Sequence, residues 1–207
     1  MGGGRGAAAR SRISFMSGSG RKGARPATYR DLLALPDNVV GEIIDGELIA
    51  SPRPAPRHSV AASGIGSNLF EPFHRKPGDP GGPGGWWILD EPELHLVEDV
   101  LVPDLAGWRR ERMPKLPNAA YFELAPDWVC EVVSASTAGL DRVRKLPLYA
   151  RAKVGHCWLV DPVERFLEVF RLEKGLWVRV DAFEGNAKVR VEPFEAVELD
   201  LSRWWLE

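Results

Sequence analysis

The sequence predicts an α/β fold of the α+β type, in which a mixed β-sheet is flanked by helices and extended by an additional β-hairpin. A hairpin and a helix come first along the chain, followed by several strands, a second helical stretch and more strands. The segment 128–133 (WVCEVV) is short and almost wholly apolar, which is typical of a strand covered on both faces. The segments 166–172 and 176–183 flank Glu173-Lys174-Gly175, and we expect them to pair as the additional hairpin.

The first half of the chain contains signals for two helices and one hairpin. A short helix is predicted over 29–35, and a hairpin over 39–50 turns at Asp45-Gly46, a dipeptide that favours tight turns. A second helix is predicted over 58–73, because apolar residues recur there at helical spacing. These residues are Ala62, Ile65, Leu69 and Phe73.

Strand signals dominate the second half of the chain. Further strands are predicted over 86–89, 93–97, 100–108, 157–160 and 196–201. After the strand 128–133, the hydroxyls of 134–137 can cap a helical stretch that extends to about residue 152. Pro147 lies inside this stretch, so we expect it either to kink the helix or to begin a second short one.

Composition and charge indicate one soluble domain behind a basic tail. The chain has 207 residues and a net charge of −2, but residues 1–30 carry +7 and the remainder therefore −9. We predict a disordered basic tail over 1–27 and a single domain over 28–207. Cys130 and Cys157 match no metal or disulfide spacing, which favours reduced core cysteines of a cytoplasmic protein. The sequence has no apolar run long enough for a membrane span.

Glu131 is the most informative residue of the sequence, because its neighbours from Trp128 to Val133 are all apolar. An ionised carboxylate in such surroundings is costly unless a cation, hydrogen bonds or a proton neutralises it. A divalent ion would do so, and oxygen ligands favour Mg²⁺ or Mn²⁺. A glutamate at a strand end, paired with an arginine, explains the same pattern equally well.

Asp104 and Lys145 are the other two candidates for a reaction centre. Asp104 follows Pro103 in an otherwise apolar run, where it serves either a site or a turn. Lys145 shares a helical face with Asp141 and Tyr149, since the three residues recur every four positions. A lysine placed there can orient water and stabilise charge on a phosphate, or it can simply pair with Asp141 in solvent.

Several short motifs follow one another between Thr28 and Trp205. They are Glu42-Ile43-Ile44-Asp45-Gly46-Glu47, Ser51-Pro52 followed by His58, Pro103-Asp104, Glu131-Val132-Val133-Ser134, Ser136-Thr137 with Asp141, Lys145 and Tyr149, and Trp158-Leu159-Val160-Asp161-Pro162. Their order and spacing resemble the Uma-two family of the PD-(D/E)XK, or restriction-endonuclease-like, superfamily of nucleases.

The resemblance implies a restriction-endonuclease-like core in which Asp104 and Glu131 hold Mg²⁺ or Mn²⁺, with the Val132 carbonyl as a further ligand. The superfamily places its lysine two residues after the glutamate, where this chain has Val133. The resemblance therefore assigns the catalytic lysine to Lys145 in the following helix.

Two further residues match family positions. Glu42 would add a metal ligand or orient water. His58 would belong to the site, although a lone histidine is more often a packing or capping residue. Both are included among the predicted catalytic residues.

The reaction that follows from the resemblance is the hydrolysis of phosphodiester bonds in nucleic acid, with DNA as the expected substrate by analogy. Two alternatives remain open: a non-catalytic nucleic-acid-binding module derived from a nuclease, and a glycosidase with paired carboxylates. Restriction-type folds act as dimers, so a homodimer that forms through the hairpin 166–183 is also a prediction.

Overall fold

A computed structural model of the chain describes residues 25–134 and 137–206. In chain order the elements are α1 (Tyr29–Leu33), β1 (Val39–Ile44), β2 (Glu47–Pro52), α2 (Pro56–Phe73), β3 (Trp86–Asp90), β4 (Leu94–Leu96), β5 (Asp99–Leu101), β6 (Leu105–Arg109), β7 (Trp128–Val132), α3 (Ala138–Leu140), a π-helical turn (Asp141–Lys145), α4 (Leu146–Arg151), β8 (His156–Asp161), β9 (Phe166–Glu173), β10 (Leu176–Glu184), β11 (Lys188–Val189), β12 (Leu199–Asp200) and a 3₁₀ helix (Leu201–Trp204).

Two sheets dominate the architecture. The larger sheet has six strands in the order β10-β9-β8-β7-β6-β3, and the smaller has four in the order β2-β1-β5-β4. Within the larger sheet, β7 and β8 pair in parallel and their neighbours are antiparallel. The predicted mixed sheet with flanking helices and an added hairpin is therefore confirmed.

Each face of the larger sheet packs against its own apolar core. One core includes buried side chains of α2 and the C-terminal segment, such as Leu69 and Trp204. The other contains buried residues of the smaller sheet and α4, such as Ile44 and Leu148. The buried strand β7 contributes alternate residues to the two cores, and Glu131 follows Val129 on the α4 side.

Local sequence signals explain several element boundaries. At the β1–β2 turn, Asp45 and Gly46 have φ angles of 51° and 74°, the left-handed conformation that a two-residue hairpin turn requires. Asp31 accepts hydrogen bonds from both the backbone and the side chain of Thr28, which forms a capping box at the start of α1. Helix α2 has Pro56 in its first turn. A backbone N–H at this position has no partner within the helix, so a proline, which lacks the N–H, removes no helical hydrogen bond.

Two sequence-based strand boundaries and one buried helix position were wrong in detail. The predicted strand 100–108 is broken at Pro103, so that its two halves, β5 and β6, belong to different sheets. The predicted strand 196–201 shrinks to the two residues of β12, because the chain turns just before it, with the Val197 N–H donating to the Phe194 carbonyl, and the 3₁₀ helix begins at Leu201. Helix α2 buries Ala61 rather than Ala62, which is half-buried and lies beside the core.

The predicted basic tail lies mostly outside the described residues, since the description begins at Arg25. The prediction of disorder over 1–27 stays a prediction there. The end of that range contacts the domain through a backbone hydrogen bond and an ion pair. The N–H of Ala27 donates to the Gly46 carbonyl at 2.7 Å, and Arg25 pairs with Asp31, also at 2.7 Å.

Two features expected from composition concern cysteine and the membrane. Cys130 and Cys157 are both buried and free, as predicted. Within 25–134 and 137–206, no helix combines the length and the apolar character that a bilayer crossing requires. The predicted homodimer is not tested by a single chain and stays a prediction.

Candidate functional site

A cavity of about 260 Å³ opens at the end of β7, between the larger and the smaller sheet. The chain passes from one sheet to the other at Val102 to Asp104, between β5 and β6, and this crossing segment lines the cavity. All of the residues predicted for the site line the same cavity: Glu42, His58, Asp104, Glu131 and Lys145. The structure thus brings them together, while their chemical roles remain predictions.

Lys145 lies at the centre of a buried cluster of carboxylates. Its Nζ is 2.8 Å from Glu131 Oε1 and 3.0 Å from Glu42 Oε1, and its side chain is only 4% exposed. Asp141 Oδ1 is 3.9 Å away from the same Nζ. Lys145 is therefore not the solvated partner of Asp141 that the sequence left open, and Glu131 pairs with a lysine rather than an arginine.

Further hydrogen bonds fix the two glutamates of this cluster. The buried hydroxyl of Tyr149 donates to Glu131 Oε1 at 2.5 Å. The backbone N–H of Val102 donates to Glu42 Oε1 at 2.9 Å, which ties β1 to the crossing segment. Hydrogen bonds to a carboxylate hold its orientation as well as stabilise its charge.

The π-helical turn explains how Asp141 and Lys145 both reach the interior. The N–H of Leu146 bonds to the Asp141 carbonyl five residues earlier, where a regular α-helix would bond four residues back. Pro147 accounts for the widened turn, because its ring would clash with the Val143 carbonyl of a regular helix. The sequence predicted a kink or a new helix at Pro147. In the structure α4 begins at Leu146, with Pro147 in its first turn.

Asp104 forms the rim of the cavity with two separate contacts. Its Oδ2 accepts from the N–H of Val132 at 2.7 Å, which locks the aspartate to the end of β7. Its Oδ1 is 3.2 Å from His58 Nε2 in the first turn of α2. Each carboxylate oxygen retains a lone pair after one such contact, so Asp104 can still bind a cation.

The charges in the cluster do not balance. Burial and the charges of Asp141, Asp104 and Glu42 raise the pKa of Glu131, although Lys145 opposes this effect. Burial likewise raises the pKa of Asp141 to about 6. Burial alone would lower the pKa of Lys145, but Glu131, Glu42 and Asp141 raise it, so the lysine stays charged. One ammonium therefore faces three carboxyl groups, and burial shifts Glu131 and Asp141 towards their protonated forms.

The pair of Asp104 and His58 and the hydroxyl of Tyr149 show related shifts. Burial lowers the pKa of His58, but the contact with Asp104 outweighs it and the net shift is upward. Burial, followed by the charges of Glu131 and Glu42, raises the pKa of Tyr149. Tyr149 therefore remains protonated and acts as a hydrogen-bond donor.

The donor set and its charge fit a hard divalent cation. The candidate ligands are carboxylate oxygens, and an added cation would stabilise their ionised forms against the burial that raises their pKa values. Among the described residues, no three His, Cys, Asp or Glu side chains are already arranged around a common metal position. Mg²⁺ tolerates this, because it typically takes one or two carboxylates and completes its shell with water and substrate oxygens.

Sequence reasoning gave too small a role to two residues. Asp141 and Tyr149 were placed only on the helical face of Lys145, yet both belong to the buried cluster. Their spacing from Lys145 was the available signal. It did not reveal that the face turns inward, because that depends on packing against Glu131.

The comparisons with known proteins agree with the fold and with the motifs. The family model Uma2, described as "Putative restriction endonuclease", matches residues 26–202. None of the curated proteins compared with the chain matches it.

One solved structure is similar across almost its whole length. It is the crystal structure of a putative nuclease belonging to DUF820 from Anabaena variabilis, with a TM-score of 0.68 and 24% sequence identity. The match covers 86% of this chain and 98% of that one, which supports the shared fold. With the family model spanning most of the domain, the chain belongs to the Uma2 family of putative restriction endonucleases.

Proposed function

We propose that the chain is an endonuclease that depends on Mg²⁺ or Mn²⁺ and hydrolyses phosphodiester bonds in DNA. The observation that carries this proposal is the buried Lys145, held by Glu131 and Glu42 beside a solvent-connected cavity with Asp104 on its rim. A buried charged cluster with uncompensated carboxylates is costly for folding, so its retention points to function. The choice of DNA follows from the restriction endonucleases named in the family description.

Asp104 and Glu131 are the residues that would hold the cation. When bound there, a divalent ion would supply Lewis-acid stabilisation of the phosphoryl oxygens and lower the pKa of a water molecule. Asp104 is fixed by the Val132 N–H, and Glu131 by Tyr149, so both carboxylates are oriented before substrate arrives.

Lys145 would act on the charge that develops during hydrolysis. Its ammonium retains its proton because three carboxylates surround it, so it serves as a fixed positive charge rather than as a base. In that state it can orient the attacking water and stabilise the negative charge on the phosphoryl group. Glu42 and Asp141 act as positioning residues, because they hold Lys145 from two sides.

Plasmid cleavage provides the direct test. The purified chain is incubated with supercoiled plasmid in Mg²⁺, Mn²⁺ or chelator, and nicked and linear products are measured. We expect cutting with either ion and none with chelator. Glu131→Gln and Lys145→Ala should each reduce the cutting rate by at least about 100-fold, since each removes a fixed charge from the reaction centre.

Matched surface variants separate chemistry from general damage. Glu123→Gln and Lys115→Ala make the same side-chain changes at exposed positions and should cut like the parent. Thermal unfolding must show that Glu131→Gln and Lys145→Ala are folded at the assay temperature. Calorimetry should detect Mg²⁺ binding to the parent and its loss in Glu131→Gln. A folded parent that binds DNA without cutting it, with or without metal, would instead establish the non-catalytic binding module.

A further inference from the structure

A second and larger cavity adjoins the candidate site. It has a volume of about 500 Å³ and lies along α2, between that helix and the end of β3. His58 and Asp104 line both this cavity and the site cavity, so the two form one continuous groove. Whatever occupies the larger cavity would therefore lie next to the reacting group.

Helix α2 presents small side chains to this groove. The residues 61, 65, 69 and 73 face the apolar core, whereas two neighbouring rows of the same helix line the groove. These rows are Ser59, Ser63 and Ser67, and Ala62, Gly66 and Phe70. Gly66 lets β3 and β6 approach the helix closely, because a Cβ there would lie 3.1 Å from Asp90 Oδ1 and 3.3 Å from Leu105 Cδ2.

Phe70 closes the row with an exposed aromatic ring. One face of the ring stacks on His74, with the ring centroids 4.1 Å apart and the planes 22° from parallel. His74 is itself fixed, since its Nδ1 accepts from the Ile88 N–H at 3.0 Å. The Phe70 side chain is nevertheless 53% exposed, so a rigidly held aromatic surface remains free to stack.

Asp90 contributes an exposed carboxylate on the opposite wall. This carboxylate is accessible from the groove as a hydrogen-bond acceptor, and partial desolvation raises its pKa. Gly66, which lies directly beneath this carboxylate, is one helical turn before Phe70. The carboxylate and the aromatic ring are therefore neighbours along the groove.

We propose that this groove binds an unpaired nucleobase next to the scissile phosphate, with the base stacked on Phe70 and its exocyclic amine donating to Asp90. The proposal rests on the proposed nuclease function for the identity of the ligand. It adds that the enzyme engages single-stranded or extruded nucleotides and prefers bases that carry an amino group. Those bases are cytosine, adenine and guanine, whereas thymine and uracil have no such donor.

The charge of the groove favours a base over a phosphate as its occupant. Asp90, Glu91 and Asp104 all line it, and a phosphate placed among these carboxylates would be repelled. A base presents a neutral ring and a donor edge, which match an aromatic surface, serine hydroxyls and an accessible carboxylate. The sugar-phosphate backbone would then run along the open side of the groove.

Binding of short single-stranded oligonucleotides in chelator tests the groove without requiring catalysis. Fluorescence anisotropy compares oligo-dC with oligo-dT, and oligo-rC with oligo-rU, at one fixed salt concentration. We expect the parent to bind the cytosine oligomers about tenfold more tightly, the size expected for one hydrogen bond to a charged acceptor. A preference that appears only in the ribose pair or only in the deoxyribose pair would identify the sugar as well.

Two variants should separate the contributions of the ring and the carboxylate. Phe70→Ala should weaken binding of every oligomer by at least about fivefold, because stacking does not depend on base identity. Asp90→Asn should instead remove the preference for cytosine, since its amide can also donate to the carbonyl of thymine. Val163→Ala and Asp181→Asn, which alter exposed residues elsewhere, should change neither quantity.

The outcomes distinguish this proposal from the nuclease function. If the parent cuts plasmid but shows no cytosine preference, or if Phe70→Ala and Asp90→Asn bind like the parent, the groove proposal is wrong while the nuclease stands. If base preference and its loss in Asp90→Asn are observed without any cutting, the groove binds a base and the nuclease proposal fails.

Discussion

Within 25–134 and 137–206, carboxylates are buried in two places, and they are balanced in different ways. Asp99 is 7% exposed and meets one cation, Arg151, at 3.1 Å, together with the N–H of Asp45 at 2.7 Å. At the cavity, by contrast, the buried Lys145 faces three carboxylates at once. The Asp99 group contains one buried acid, one cation and one backbone donor, and the second carboxylate on Arg151, that of Asp45 at 3.4 Å, is exposed to water.

This difference separates a structural ion pair from a candidate reaction centre. Around Asp99 the partner guanidinium is 61% exposed, so the pair links α4 to the β4–β5 hairpin with little charge out of water. Around Lys145 the cation is as buried as its partners, and burial, together with the neighbouring carboxylates, raises the pKa of Glu131 and Asp141. Several buried carboxyl groups around one buried cation, rather than one buried carboxylate alone, mark the site.

Deleting the cation from each group should give the largest contrast. Lys145→Met leaves three buried carboxylates facing one another, so we expect its free energy of unfolding near neutral pH to fall by about 3–5 kcal/mol. Arg151→Met removes an exposed partner and should cost less than about 1 kcal/mol. Chemical denaturation of both variants and the parent measures the two values.

The dependence on pH sharpens this contrast. The deficit of Lys145→Met should shrink as the pH falls, because the carboxylates take up protons and cease to repel one another. The small deficit of Arg151→Met should show no comparable recovery between about pH 8 and pH 5. Equal losses of stability in the two variants at about pH 8 and at about pH 5 would contradict the distinction between a reaction centre and a structural ion pair.

The contrast also shows which parts of the site could be predicted from sequence. Glu131 and Asp104 were identified by their apolar neighbours and Lys145 by its helical face, and the family resemblance added Glu42 and His58. All five line one cavity. These signals are local, since an apolar strand interrupted by an acid is visible in a few residues.

The features that could not be predicted depend on packing between distant segments. The π-helical turn requires both Pro147 and a buried position for Lys145, and only the former is visible in the sequence. The residues on both sides of Pro103 were predicted as one strand, because nothing in the local sequence shows that the two sides join different sheets. The groove along α2 depends on Asp90 of β3 lying against Gly66, a contact that no motif encodes.

Neutralising one acid in each group should have opposite effects on stability. The pKa of Asp141 rises from its usual 3.8 to about 6 in the folded chain, so folding favours its protonated form. That contribution is complete below about pH 4 and is lost as the pH rises through about 6. At about pH 8, Asp141→Asn should therefore raise the free energy of unfolding by roughly 2 kcal/mol.

Asp99→Asn is the matched change and should be destabilising at the same pH. It weakens the charged hydrogen bonds from Arg151 and from the Asp45 N–H, at a cost of about 1 kcal/mol. Denaturation at about pH 8 and pH 4 compares the two variants, and the gain of Asp141→Asn should vanish at the lower value. A loss of stability in Asp141→Asn at about pH 8 would mean that Lys145 already balances its charge.

Tyr149→Phe should have the smallest effect, because it removes one hydrogen bond and no charge. Glu131 keeps its contact with Lys145 but loses the hydroxyl donor, so we expect about 1 kcal/mol of lost stability and a few-fold slower plasmid cutting. Losing a donor to the ionised form also raises the pKa of Glu131 further, which should move the acidic limb of the cutting rate to higher pH. Tyr121→Phe, at a half-buried tyrosine outside the cavity, is the control and should leave that limb in place. An unmoved acidic limb in Tyr149→Phe would show that the hydroxyl does not influence the pKa of the Glu131 carboxylate.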